Sequence, residues 1–203
     1  MKLDEAKKIK HVAWVIAAGF FGSVIAFIAS WFFPPDFSTH PPTYDPWMMR
    51  LGQMQTALYI LGCTGLGLKL AEEKKTLPSI GFTMMAIAQG VIFVLYLISS
   101  APTEDQMHEA YKMFSASLFL LIPSMILIAF YSEFPRWLNI LGILSCIPYI
   151  IENILYSTYH EFNDTIMNVD GVGLVLTNIV AVSWGILILR NVKNEIARMN
   201  SSQ

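Results

Sequence analysis

The sequence predicts an all-α integral membrane protein, a six-transmembrane-helix bundle with both termini on the cytoplasmic side (N-in/C-in). Two observations lead to this prediction. The 203-residue chain is 55% hydrophobic and 14% charged, with a mean hydropathy of +0.52, whereas soluble domains carry about 25% charged residues. The charged residues also concentrate in short segments between long apolar windows. Because no intervening segment is long enough to bury its own core, we expect residues 1–203 to form a single membrane domain.

Six apolar windows are long enough to cross a bilayer. A hydrocarbon core of about 30 Å requires roughly 20 helical residues, and lipid offers no partners for unpaired backbone groups, which favours helices. The windows cover about residues 12–33, 51–70, 80–98, 113–131, 138–156 and 172–189. The first window exceeds the roughly 7–15 apolar residues of a signal peptide, so we expect it to be retained as a span.

The positions of Lys and Arg predict the orientation of the spans. Only Arg50 and Lys112 fall on one side of the predicted membrane. The eleven others fall on the opposite side: Lys2, Lys7, Lys8, Lys10, Lys69, Lys74, Lys75, Arg136, Arg190, Lys193 and Arg198. Because Lys and Arg accumulate in cytoplasmic loops, this side is predicted to be cytoplasmic. The compact chain and the absence of a targeting peptide favour the plasma (inner) membrane of a bacterium, with multiple passes.

Proline and glycine predict where the helices begin, bend and touch. Pro78 and Pro135 open the third and fifth windows, where a missing N–H costs least. Pro123 and Pro148 lie inside the fourth and fifth windows and are expected to kink those helices, because each removes one internal hydrogen bond. Small residues of the first and second windows are expected to provide close helix contacts. They are Ala18, Gly19, Gly22, Ser23, Gly62, Gly65 and Gly67.

Glu152 is the most informative residue, because it is the only acidic side chain well inside an apolar window. It precedes the window's end at Tyr156 by four residues, which places it about 6 Å deep. A carboxylate there costs several kcal/mol unless it is paired, wetted or protonated. Helical spacing puts it on a polar stripe that must face the bundle interior. The stripe comprises Ser145, Tyr149, Glu152, Tyr156 and Tyr159, with Asn153 beside it.

Polar residues of other windows lie at a similar depth, and we expect them to converge with Glu152 on a cavity open to the outer side. Lys112 or Arg50 is predicted to compensate the Glu152 charge. The predicted ligand- or proton-binding residues are Glu152, Lys112, Tyr149, Asn153, Tyr156, Arg50, Gln53, Asp170 and Asn178. The proline-rich loop of residues 34–50 is expected to form a stiff cap over the cavity mouth. The alternative interpretation of Glu152 is a structural clamp between helices.

A metal site is only weakly indicated. His40, His108 and His160 lie on the predicted outer side together with several methionines, and imidazole with thioether is a ligand set that suits copper. However, no two of these histidines have helical i,i+3 or i,i+4 spacing. The expectation is therefore that there is no metal and no cofactor. Cys63 and Cys146 lie within apolar windows and are expected to be packing residues.

The function predicted from these features is binding or transport of a small molecule. Two alternatives stay open, a non-catalytic sensor or partner subunit of a membrane complex, and a membrane-embedded enzyme acting on a lipid or other lipophilic substrate. The chain has no HExxH, HxxxH or GxSxG motif, so catalytic residues are unknown. The expected partners are the lipid bilayer and a small molecule or lipid, with a homodimer or a membrane partner protein as further options. A net charge of −2 argues against nucleic acid.

Overall fold

The computed structural model describes residues 2–36, 38–39, 42–97, 101–159 and 164–201, which fold as helices with short connections. Within these ranges the helices are α1 (Lys2–Ser30), α2 (Pro46–Glu72), α3 (Thr76–Leu95), α4 (Glu104–Ala129), α5 (Arg136–Leu144), α6 (Cys146–Tyr159) and α7 (Asp164–Ser201). The described ranges contain no strand; one isolated β-bridge joins Asp36 and Thr43. The all-α prediction is therefore confirmed.

Five helical segments among the described residues are long and apolar enough to cross a membrane. They are Ala6–Ser30, Thr76–Leu95, Glu104–Ala129, Arg136–Thr158 and Asn168–Ala197. These segments correspond to the first, third, fourth, fifth and sixth predicted windows. Helix α2, the second window, is as long as its neighbours but falls short in hydropathy, because its apolar residues alternate with glycine and with side chains such as Gln53, Gln55 and Lys69.

Helices α5 and α6 form one interrupted membrane segment, with Ser145 as the only residue between them. In a continuous helix the N–H of residue 148 would donate to the carbonyl of Leu144. Pro148 has no N–H, so the hydrogen-bonded ladder is interrupted just before it. Pro123, in contrast, lies inside α4, which continues from Glu104 to Ala129.

Side chains cap the two helices that begin near the cavity described below. The Asp45 carboxylate accepts a hydrogen bond from the backbone N–H of Trp47, and Pro46 occupies the first turn of α2. At the start of α4, Thr103 and Gln106 form a reciprocal capping box. Such caps satisfy N–H groups that have no partner within the helix. The segment before Asp45 is closed by paired backbone hydrogen bonds between Asp36 and Thr43, of 2.8 and 3.1 Å.

The first two helices pack closely in an antiparallel register. A Cβ built on Gly19 would lie 2.6 Å from the Gly62 backbone nitrogen. The neighbouring contacts run in opposite directions along the two chains, Gly22 against Leu58 and Gly65 against Ile16. Only glycine permits this approach of backbone to backbone. The predicted role of these glycines in helix packing is therefore confirmed.

An aromatic cluster occupies the centre of the bundle and joins helices from both ends of the chain. Trp184 of α7 is 1% exposed. Its ring centroid lies 4.9 Å from that of Phe82, 5.7 Å from Phe20 and 6.5 Å from Phe134. Cys63 is buried in the same core as a free thiol, as is Cys146. We call Phe20, Cys63, Phe82, Met85, Met125 and Trp184 the central layer.

Candidate functional site

The polar stripe predicted on the fifth window faces the protein interior. Ser145, Tyr149, Glu152 and Tyr156 are all buried, whereas Tyr159's side chain lies outside the described part of the structure. Residues on the opposite face of α6, such as Ile154, are exposed. The spacing of i, i+3, i+4 and i+7 thus identified the buried face correctly.

Glu152 is 4% exposed, and its Oε2 atom has no hydrogen-bond partner within the described residues. Two further buried polar atoms of the same neighbourhood also have none there, the Tyr59 hydroxyl and Asn178 Oδ1. A buried polar atom without a partner costs about 1–3 kcal/mol, and a charged one costs more. Unpaired polar atoms that lie close together indicate that a water molecule, a bound proton or a ligand supplies the missing hydrogen bonds.

All three residues line one cavity of about 260 Å³, which we call the Glu152 cavity. Its walls come from the segment before α2 and from helices α2, α3, α4, α6 and α7. The polar lining residues are Gln55, Thr56, Gln89, Glu152, Asp170, Thr177 and Asn178. The aromatic lining residues are Tyr44, Tyr59, Tyr96, Tyr111, Phe114 and Tyr149, and three methionines complete the wall, Met48, Met49 and Met107.

A second carboxyl group, Asp170 at the start of α7, lies on the same cavity. Glu152 of α6 lines the same space. Burial raises the pKa of the Tyr44 phenol in the connection before α2, and the Asp170 charge adds to this rise. Two carboxyl groups therefore share one largely apolar space.

Four of the nine residues predicted from sequence line the Glu152 cavity: Glu152, Tyr149, Asp170 and Asn178. Tyr156 lies next to it, stacked on the lining residue Tyr111 with ring centroids 3.5 Å apart. Gln53 and Asn153 do not reach it. Gln53 donates a 2.7 Å hydrogen bond to the carbonyl of Tyr96, and Asn153 lines a separate groove between α4 and α6.

No ion pair joins Glu152 to Lys112 or Arg50 among the described residues, and both cations have other partners. The Lys112 ammonium lies 2.6 Å from a carboxylate oxygen of Glu109, three residues earlier on the same helix, and its side chain is 57% exposed. The Arg50 guanidinium lies over the Trp47 ring, 5.7 Å from the ring centroid. Both cations thus have partners of their own near the protein surface, and neither side chain is among those that line the cavity.

Several lining residues escaped the sequence prediction. Gln89 had a usable signal, because it is a lone amide in the apolar α3 and is 9% exposed. Phe114 had none, since one more aromatic residue in an apolar helix carries no information about a cavity. The predicted cap is partly supported by Tyr44, whose hydroxyl lies 3.9 Å from the sulfur of Met107 at the cavity wall.

Of the three histidines considered for a metal site, His108 is the one that lies within the described part of the chain. His40 and His160 lie outside it. His108 is exposed, and its Nδ1 lies 2.9 Å from the Tyr156 hydroxyl. Among the described residues no group of three His, Cys, Asp or Glu side chains could hold a metal ion.

A second, wider cavity lies at the other end of the bundle. It has a volume of about 660 Å³, and we call it the Lys69 cavity. Its lining includes Leu66, Lys69 and Leu70 of α2, Tyr131 and Phe134 of the α4–α5 connection, and Ile188, Asn191 and Glu195 of α7. Here Lys69 pairs with Glu73, and the Tyr131 hydroxyl donates a hydrogen bond to Glu133 at 2.8 Å.

No known protein family, curated protein or solved structure matches the chain.

Proposed function

We propose that this protein is a six-span membrane protein that binds a small molecule in the Glu152 cavity and carries it across the membrane. Glu152 acts as its proton or cation site. In the proposed orientation the Glu152 cavity opens to the outer side, both termini are cytoplasmic, and the membrane is the bacterial plasma membrane.

One observation carries the proposal. The carboxyl group of Glu152 is buried, lines a 260 Å³ cavity and has an oxygen without a hydrogen-bond partner among the described residues. A purely structural clamp would hold that oxygen with a donor from a neighbouring helix, because an unsatisfied group weakens the contact that it is meant to make. An ionisable residue within a membrane-spanning helix is by default a candidate functional site.

The packing of α2 supports the sixth span. Helix α2 pairs with α1 through Gly19 and Gly62 and with α3 at both ends, where Gly52 contacts Tyr96 and Gly67 lies beside Ser79. It is therefore coextensive with α3, which is long and apolar enough to cross a membrane. Its polar side chains raise the free energy of α2 in a membrane less than their hydropathy implies, because Thr56 and other polar positions face the cavity rather than lipid.

The two cavities support transport over simple binding. Both are lined by α2 and α7, one near each end of these helices. On α2 the lining of the Glu152 cavity ends at Tyr59 and that of the Lys69 cavity begins at Leu66, about 10 Å further along the helix axis. The central layer fills this interval. Two vestibules separated by a thin apolar layer are the arrangement that alternating access requires.

The test uses purified protein in liposomes loaded with the pH-sensitive dye pyranine. Five external solutes are added singly: benzylamine, benzyl alcohol, benzoate, glycine and glucose. We expect at least one of them to change the lumenal pH more than in protein-free liposomes, where neutral benzylamine and benzoic acid cross the bilayer unaided. This additional change should be lost in Glu152→Gln. Glu109→Gln is the matched control, because Glu109 is an exposed acid of α4 paired with Lys112 outside the Glu152 cavity, and it should behave as the parent.

The same solutes are added to protein in lipid nanodiscs, and the midpoint of thermal unfolding is recorded. A solute that binds the folded state should raise this midpoint by several degrees when present far above its Kd. Binding without a pH change would overturn transport and favour a sensor. If no solute has either effect, or if Glu152→Gln retains every effect, the proposed function is wrong.

A further inference from the structure

The charged groups that line the Glu152 cavity are all acidic within the described part of the chain. Glu152 and Asp170 contribute two carboxyl groups, and no Lys, Arg or His side chain lies on the wall. The two cations that the sequence offered for compensation, Lys112 and Arg50, are engaged with Glu109 and Trp47. A carboxyl group that ionises in a site of low dielectric attracts a cation and repels an anion more strongly than it would in water.

The wall around these carboxyl groups is aromatic. Phe114 contacts both Tyr149, with ring centroids 5.9 Å apart in an edge-to-face arrangement, and Tyr111 at 6.0 Å. Tyr59 and Tyr96 extend the aromatic surface onto α2 and the end of α3. The face of an aromatic ring attracts a cation within about 6 Å of its centroid, and aromatic cages are a recurring site for ammonium groups. Methionine side chains adapt to the shape of an apolar body.

The volume sets the size of the occupant. A dry cavity of about 150 Å³ accepts benzene, so 260 Å³ has room for one ring with a short charged substituent but not for a lipid. Mg²⁺ and Ca²⁺ fit poorly, because they need a shell of about six or more oxygen ligands at short distance. A space of this size with mostly apolar walls is instead suited to an organic molecule.

We propose that the Glu152 cavity selects a small organic monocation, an amine or quaternary ammonium with an apolar body. The ammonium group lies between Glu152 and Asp170 and against the faces of the tyrosines, while the apolar body contacts the methionines and Phe114. This inference rests on the proposed function, because it names the class of molecule that the same cavity takes. It excludes carboxylates and neutral sugars as ligands.

The test compares three probes that share one ring and differ in charge: benzyltrimethylammonium, benzyl alcohol and benzoate. Their Kd values are measured by titration calorimetry on full-length protein in nanodiscs. Benzyltrimethylammonium should bind at least about tenfold more tightly than benzyl alcohol, and benzoate should bind most weakly. In Glu152→Gln this preference should fall to less than about threefold, and a cooperative thermal unfolding transition like that of the parent shows that the variant is folded.

Two further variants complete the comparison. Asp170→Asn should also reduce the preference for benzyltrimethylammonium over benzyl alcohol. It replaces Glu152→Gln in the test if that variant does not fold. Glu109→Gln should retain the full preference of the parent. Sodium chloride, tested alone and as a competitor, should neither shift the unfolding midpoint nor displace the organic cation at about 0.15 M.

The outcomes separate this inference from the proposed function. If benzoate or benzyl alcohol binds as tightly as the cation and Glu152→Gln removes that binding, the cavity is a ligand site but the cation assignment is wrong. If sodium alone reproduces the effect, the site takes an inorganic ion and the assignment is again wrong. If none of the probes binds and none of the five solutes of the liposome assay acts, both the assignment and the proposed function fail.

Discussion

Gly19 and Gly62 show how single residues determine the distance between two helices. A Cβ at Gly19 would meet backbone atoms of α2, namely the Gly62 nitrogen at 2.6 Å and the Leu58 carbonyl oxygen at 2.8 Å. Backbone atoms cannot move aside as a flexible side chain does. Gly90 of α3, in contrast, has no atom within 4 Å of its built Cβ. Gly19 therefore leaves no room for a side chain, whereas Gly90 does.

Gly19→Ala should destabilise the protein by about 1–3 kcal/mol, because the added methyl group forces α1 and α2 apart. Gly90→Ala is the matched control, and it should be neutral or stabilise by up to about 1 kcal/mol through its helix propensity. Both are measured as changes in the free energy of unfolding in detergent. Equal effects of the two substitutions would show that the close approach of α1 and α2 is not needed for stability.

Glu152 shows how far the site could be predicted from single residues. An acid in an apolar window carries a strong signal, and helical spacing identified the face that it shares with Tyr149 and Tyr156. The cation partner could not be predicted in the same way. Lys112 is three residues from Glu109 and pairs with it on the helix surface, and such local pairs need no tertiary contact. The position of Lys112 in its window predicted a depth in the membrane similar to that of Glu152, but not the direction in which the Lys112 side chain points.

At the scale of elements, two prolines that both lie inside apolar windows affect their helices differently. Both Pro123 and Pro148 were expected to kink their helices. The α5–α6 segment is interrupted at Ser145, as expected from the missing N–H of Pro148, whereas α4 continues past Pro123. Packing against neighbouring helices decides whether the freed carbonyl leads to a break, and a single sequence does not contain that information.

Helix α2 carries the sharpest prediction about topology. If it crosses the membrane, the connections at its two ends lie on opposite sides. Ser38 and Glu72 are exposed, so each is replaced singly by cysteine for labelling. The variants are Ser38→Cys and Glu72→Cys in a background without the native cysteines (Cys63→Ala, Cys146→Ala). A membrane-impermeant maleimide should label Ser38→Cys in intact cells and Glu72→Cys only after permeabilisation.

Ser132→Cys, in the exposed connection between α4 and α5, is the control for the inner side and should label like Glu72→Cys. Labelling of Glu72→Cys from outside would place both ends of α2 on one side and rule out the sixth span. Labelling of Ser38→Cys only after permeabilisation would reverse the proposed orientation.

At the scale of the whole molecule, residues of the central layer lie between the two cavities on α2 and α7. On α7 the lining of the Glu152 cavity ends at Asn178 and that of the Lys69 cavity begins at Ile188, about 15 Å further along the helix axis. Trp184 lies in this interval, and its side chain is among the largest that are fully buried. Aromatic residues from α1, α3 and the α4–α5 connection surround it. A dry layer of this kind blocks protons and ions because it offers them no polar partner.

Trp184→Ala should therefore open a leak. Removing the indole leaves a cavity and costs about 3–5 kcal/mol of stability, and water entering that space would connect the two vestibules. In pyranine-loaded liposomes an imposed pH gradient should collapse faster than with the parent, without any added solute. Trp137→Ala is the control, because Trp137 is 56% exposed on α5, and it should leave the gradient intact. If Trp184→Ala elutes as a folded species and holds the gradient as the parent does, the central layer is not the barrier. Trp184→Leu, a smaller change, replaces it if the alanine variant does not fold, and the same comparison then applies.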